Sequence, residues 1–144
     1  MATVHDVAKL FLSLSTKNED AISNLKLQKL VYYAQGFHLA LFEGQPLFDE
    51  KIEAWTHGPV APDLYHEYKK FGKGPIENIE FDPAGKLSDD QIELIQEVYE
   101  IFGQFSAWKL RDLTHEEMPW LLHESDASEI SIAEMHEYFK TRVH

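Results

Sequence analysis

The sequence has no cysteine among its 144 residues, which excludes disulfides, thiolate zinc sites and a thiol nucleophile. It also lacks any apolar run near the roughly 20 residues that a membrane-spanning helix needs. Its first ten residues contain no basic stretch followed by a long apolar one, so no secretory signal is predicted. Together these absences predict a soluble, cytoplasmic protein.

Internal repeats, low-complexity tracts and Ser/Gly linkers are absent as well, so no domain boundary is predicted. A chain of this length, 44% hydrophobic, is long enough to bury a substantial core. We therefore expect a single domain over residues 1–144.

The net charge of -12 is unevenly distributed. Residues 1–73 hold 8 Lys/Arg against 9 Asp/Glu, whereas residues 74–144 hold 5 against 16. An acidic surface repels phosphate backbones, because nucleic-acid affinity depends on Lys and Arg releasing counterions. The charge thus argues against a nucleic-acid partner and leaves two readings open, a solvated acidic face or a surface that attracts basic partners.

Most of the local signals are helical. The pattern of a hydroxyl residue followed three positions later by an acidic or amide residue predicts three capped helix starts: Thr3 with Asp6, Ser88 with Gln91, and Ser131 with Glu134. The helix from Ser88 should end at Gly103 and the last helix near Arg142, with a short helix from Ser106 between them.

The second helix is predicted from about Asn24 to Glu43. Its apolar stripe takes in Leu27, Leu30, Val31, Ala34, Phe37, His38 and Leu41. The opposite side carries Lys29, Tyr32, Tyr33, Gly36 and Ala40, which is not a polar face either. A helix that is apolar on two sides is usually central, so this helix should form the hub of the fold and His38 should be a core histidine.

The remaining segment predicts a small β element. Leu47-Phe48 and Ile52–Trp55 are strand candidates joined by residues 49–51, and residues 57–62 indicate a rigid turn before a helix that starts at Pro62. The predicted fold class is mainly α (α+β), a single compact helical domain with a central helix and a small β-hairpin.

Catalytic and metal-binding motifs are not evident. The eight histidines lack zinc-protease spacing, and no nucleophile elbow, phosphate loop or dinucleotide fingerprint occurs. Glu116 and Glu117 are adjacent, but neighbours on a helix do not face each other. We expect no enzyme, metal or cofactor; a hydrolase that brings His57, His115 and a carboxylate together remains an alternative.

Two segments, 25–38 and 46–60, hold several aromatic residues. Together with three later segments they resemble a known family. The matching pieces are Leu27-Gln28-Lys29-Leu30 with Tyr32-Tyr33, Pro46-Leu47-Phe48, Glu53-Ala54-Trp55 with Gly58-Pro59-Val60 and Tyr65, Leu113-Thr114-His115 with Pro119-Trp120, and Ile130-Ser131. Over residues 5–140 the chain resembles the Panacea-domain family, the SocA-like antitoxins, which include phage-associated GepA-type proteins.

The resemblance implies an antitoxin that neutralises a cognate toxin protein, encoded by an adjacent gene, by direct binding. The alternative it implies is an adaptor that delivers the toxin to a ClpXP-type protease, and a prophage regulator is a further rival. Aromatic residues suit interfaces, and the side of the second helix that carries Lys29 should face the hairpin. The predicted toxin contacts are Lys29, Tyr32, Tyr33, Gly36, Trp55, His57, Gly58, Pro59, Tyr65, His115 and Trp120.

Overall fold

A computed structural model of the protein describes residues 2–76 and 79–143. This part of the chain contains seven α-helices, one 3-10 turn and three short strands. In chain order they are α1 (Val4–Lys17), α2 (Asn24–Leu41), β1 (Ile52–Trp55), β2 (Gly58–Val60), α3 (Pro62–Tyr68), the 3-10 turn (Lys69–Phe71), α4 (Asp89–Phe102), α5 (Ala107–Thr114), α6 (Met118–Leu121), β3 (Glu129–Ile130) and α7 (Ile132–Phe139). The mainly α prediction is confirmed.

The three predicted capping boxes are confirmed, each with its two reciprocal hydrogen bonds. In the box of α4, for example, Gln91 N donates to Ser88 Oγ at 3.1 Å and Ser88 N donates to Gln91 Oε1 at 3.0 Å. Ser106 caps α5 as predicted. The predicted ends were less accurate, because α2 stops at Leu41 and α7 stops at Phe139.

The prediction of the hairpin was wrong in its strands. Leu47-Phe48 is not a strand, and β1 pairs instead with β2 in antiparallel register, Ala54 opposite Pro59. Residues 58–60, expected in a turn, therefore form an edge strand of the sheet, whose order is β2-β1-β3. An edge position tolerates Pro59, which has no N–H to donate to a second neighbour.

Helix α2 is central, as predicted. It packs against α1, α3, α4, α5, α7 and β2, and both of its sides are buried, Tyr32 on one and Val31 on the other. His38 is a core histidine whose Nδ1 lies 2.7 Å from the carbonyl oxygen of Gln45. In the predicted stripe Phe37 is only partly buried, and Leu41, at the end of the helix, has 52% of its surface exposed.

One hydrophobic cluster extends through the described residues, from Ala2 before α1 to Phe139 in α7. Strand β3 connects the sheet to this C-terminal end by pairing Ile130 with Ile52 of β1. Within residues 2–76 and 79–143, no helix combines the length and apolar character that crossing a membrane requires.

Candidate partner-binding site

The predicted toxin-contact residues form two separate groups in the structure. In the first group Gly58 and Pro59 contact Lys29, and Trp55 contacts both Tyr65 and Trp120. In the second group Tyr32, Tyr33 and Gly36 lie against α7 and Glu117. Seven of the eleven are buried: Lys29, Tyr32, Tyr33, Gly36, Gly58, Pro59 and Trp120. In this conformation those seven offer a partner little side-chain surface, and their role as contacts stays a prediction.

Lys29 faces the hairpin, as predicted. Its side chain is completely buried, and its Nζ donates to the carbonyl oxygen of Pro59 at 3.1 Å. Burial lowers the pKa of Lys29 to about 7, and the nearby positive charge of Arg111 contributes in the same direction. The amine therefore links α2 to β2 by a buried hydrogen bond and is not an accessible charge.

A second set of contacts secures β1. The indole N–H of Trp120 donates to the carbonyl oxygen of Trp55 at 2.7 Å. The ring of His115 stacks on Trp120 with centroids 3.8 Å apart, and its Nε2 is buried with no hydrogen-bond partner in the described part of the chain. On the outer side, Trp55 meets Tyr65 edge to face at 5.0 Å, and both rings are half-buried.

Beside the hairpin lies a surface cluster, the exposed platform, formed by the exposed His57 and Trp108 and the half-buried Arg111. Arg111 Nε donates to Nδ1 of His57 at 3.2 Å, and its guanidinium lies 4.6 Å from the centroid of the Trp108 ring. More than half of Trp108, 56%, is exposed. Sequence reasoning missed Trp108 and Arg111, although their i, i+3 spacing on a short helix places them side by side.

The other group surrounds Glu117. Tyr32 and Tyr33 donate their hydroxyl protons to its two carboxylate oxygens, at 2.9 and 2.8 Å. Burial raises the pKa of Glu117 to about 7, although these two hydrogen bonds pull it downward. Gly36 has no room for a side chain, because a Cβ there would overlap the ring of Phe139. Gly36 therefore lies against α7 and not against the hairpin that this side of α2 was predicted to face.

The hydrolase alternative requires His57, His115 and a carboxylate in contact. His57 is bound by Arg111 and His115 stacks on Trp120, and neither hydrogen-bonds to a carboxylate in the described residues. A histidine–carboxylate contact exists elsewhere: His123 bridges Glu134 at 2.8 Å and Ser128 at 2.7 Å. No cluster of three metal-binding side chains occurs within residues 2–76 and 79–143.

By its fold and these contacts, the protein is of the mainly helical α+β class and is built on one buried central helix. The family described as Antitoxin SocA-like, Panacea domain, matches residues 27–121, and the chain belongs to that family. It is 35% identical over 119 residues to Antitoxin SocA of Caulobacter vibrioides (strain NA1000 / CB15N), covering 76% of this chain.

The chain spans 63% of the length of that relative. No solved structure matches the chain. The family match runs from α2 to α6, so it includes the hairpin, the exposed platform and Glu117 but stops before α7.

Proposed function

We propose that this protein is a cytoplasmic antitoxin that neutralises a cognate toxin encoded by an adjacent gene. It acts through direct protein–protein binding and not through catalysis. Membership in the SocA-like antitoxin family supports the role. The relative that is 35% identical is itself named an antitoxin.

The exposed platform is the observation that carries the binding proposal. Trp and Arg are enriched among the residues that dominate interface energies, and here an indole that is 56% exposed holds a guanidinium against its face. His57, one of the predicted contacts, is part of the same platform. The exposed platform therefore provides anchors that a toxin would cover.

Other predicted contacts lie on the surface or inside the protein. Trp55 of β1 and Tyr65 of α3 present half-buried rings that meet edge to face. The buried residues among the predicted contacts stabilise the hairpin from inside the protein, because Lys29 hydrogen-bonds α2 to β2 and Trp120 hydrogen-bonds α6 to β1. A rigid hairpin lowers the conformational entropy that binding must overcome.

Charge favours a basic toxin. The 16 acidic against 5 basic residues of segment 74–144 would accelerate the approach of a cationic partner and would repel nucleic acid. We therefore expect complex formation to slow as ionic strength rises.

Co-expression with the product of the neighbouring reading frame tests the proposal. We expect rescue of growth and co-purification of the two proteins as a stable complex. Rescue without a detectable complex would refute neutralisation by binding. Repeating the assay in a host without its ClpXP-type protease distinguishes the adaptor alternative, because an adaptor would lose rescue there and a binding antitoxin would keep it.

A further inference from the structure

The group around Glu117 borders a cavity that the proposed toxin surface does not use. The cavity has a volume of about 280 Å³ and lies between α2, α4, α5 and α7. Aromatic rings make up much of its wall, and Glu117 and Arg142 supply charge: its lining includes Tyr33, Phe37, Phe102, Phe139, Glu117 and Arg142.

The carboxylate of Glu117 has spare capacity for a ligand. Two of its roughly four acceptor positions are taken by the hydroxyls of Tyr32 and Tyr33. Within residues 2–76 and 79–143 it forms no ion pair shorter than 4.0 Å. Glu117 is half-buried, and a carboxylate that is partly withdrawn from water is stabilised by a nearby cation. A cationic ligand would supply that partner.

Arg142 is close to Glu117 yet is bound elsewhere. Its Nε donates to the hydroxyl of Tyr138 at 3.1 Å, and its guanidinium lies 4.9 Å from the centroid of the Tyr138 ring. The side chain is exposed. A guanidinium thus already sits at the border of the cavity without forming the ion pair that the cavity offers.

The walls suit the same chemistry as the carboxylate. Tyr33 and Phe102 stack in parallel with centroids 4.1 Å apart, and Phe37 lies 5.9 Å from Phe102. Aromatic rings attract ammonium and guanidinium groups through their quadrupoles and pack against the alkyl chains that carry them. An anion would meet Glu117 and the exposed Glu116 at the same cavity.

We propose that this cavity is a binding site for an organic cation, an alkyl chain ending in a primary ammonium or guanidinium group that pairs with Glu117 among the aromatic rings. The group has two possible sources, a Lys or Arg side chain of a bound protein or a free aliphatic amine. The proposal stands independently of toxin neutralisation, because the isolated chain should bind the cation.

Titration of the purified protein with n-butylguanidinium and n-butylammonium, followed by NMR, tests this site. At about pH 8, above the Glu117 pKa of about 7, we expect saturable shifts centred on Tyr33, Leu113 and Glu117. The neutral analogue 1-pentanol should not saturate. Absent shifts, or equal shifts with the alcohol, would overturn the proposal.

Matched variants separate the carboxylate from general charge. Glu117→Gln keeps an acceptor for the tyrosines and should weaken binding about tenfold, equal to about 1.4 kcal/mol. Glu124→Gln removes the same charge from an exposed position outside the cavity lining and should change the affinity by less than about twofold. Equal losses in both variants would overturn the assignment to Glu117.

Arg142→Gln supplies a test that leaves Glu117 unchanged. Because Arg142 is exposed, the variant should fold, and removing its positive charge should tighten cation binding. An unchanged or weaker affinity would contradict the site.

The blocked peptide acetyl-Gly-Arg-Gly-amide and the free amine spermidine distinguish the two sources of the cation. Tighter binding of the peptide assigns the site to protein side chains, and tighter binding of spermidine assigns it to free amines. Binding of neither compound would overturn the proposal.

Discussion

Gly58 and Lys29 lie in such close contact that a Cβ on Gly58 would stand 2.5 Å from Lys29 Cε. The same Cβ would lie 2.8 Å from Thr114 Oγ1, and Gly58 has a φ of +111°. The hairpin therefore reaches α2 and α5 only because residue 58 has no side chain.

Gly58→Ala should destabilise the protein by about 2 kcal/mol or more, because overpacking and an unfavourable φ act together. Chemical denaturation measures the free energy of unfolding. Gly85→Ala is the matched control, since Gly85 also has a positive φ, +79°, but nothing within 4 Å of its Cβ position. Equal losses in the two variants would show that backbone strain alone is responsible.

Lys29→Met should abolish a pH-dependent part of the stability. The pKa of Lys29 is about 7 in the folded protein against 10.5 for the free amine, so the unfolded chain binds more protons between those values. Stability contributed by Lys29 therefore rises with pH from about 7 to 10.5, by about 1.4 kcal/mol per pKa unit. Urea denaturation across this range should show the rise in the wild type and not in Lys29→Met.

Glu117→Gln should have the opposite signature. The pKa of Glu117 rises from 4.5 to about 7 on folding, so the folded protein binds the extra proton in that window. The wild type should lose about 3 kcal/mol as pH increases through it, and the variant should not. Glu124→Gln removes the same charge from an exposed position that does not contribute to the Glu117 pKa and should keep the wild-type profile; a matching change there would assign the effect to net charge.

Gly36→Ala should be strongly destabilising, because its methyl group would overlap the ring of Phe139. We expect a loss of about 3 kcal/mol, within the range for forced repacking of a tight core. Phe139→Leu removes ring atoms from the same place, so the double variant should be more stable than the sum of the two single losses predicts. Additive losses, measured by denaturation, would exclude direct contact as the cause.

Trp108→Ala should weaken toxin binding while leaving the fold intact. Its side chain is 56% exposed, so truncation should cost less than about 1 kcal/mol of stability but at least about 2 kcal/mol of affinity if the indole is an anchor. Calorimetric titration with the purified toxin measures the second quantity. Ile101→Ala is the control, with 55% exposure on α4; an equal loss of affinity there would remove the exposed platform from the interface.

Local signals account for what the sequence could predict. A capping box involves residues only three positions apart, so the starts of α4 at Ser88 and of α7 at Ser131 were predicted correctly. The two-sided apolar pattern also identified α2 as central. The hairpin was misread because Gly58-Pro59 is typical of a turn, and only the sheet order reveals an edge strand that tolerates proline.

The candidate site depends on long-range contacts that periodicity cannot reveal. The bonds from Tyr32 and Tyr33 to Glu117 join residues 84 and 85 positions apart. Sequence reasoning noted the pair of glutamates at 116–117 but could not say which would turn inward. The contact of Arg111 with His57 likewise spans 54 positions, so the exposed platform emerges only when α5 docks beside the hairpin.

The notch at Gly36 has a consequence for the order in which the newly made chain can fold. The ring that fills it belongs to Phe139, about 100 residues downstream, which a ribosome needs several seconds to add at about 5 to 20 residues per second. Until then one flank of α2 remains uncovered on the nascent chain. Tyr32 and Tyr33, which lie beside Gly36, can become fully buried only after α7 has been synthesised. This part of the core therefore forms long after α2 itself has been translated.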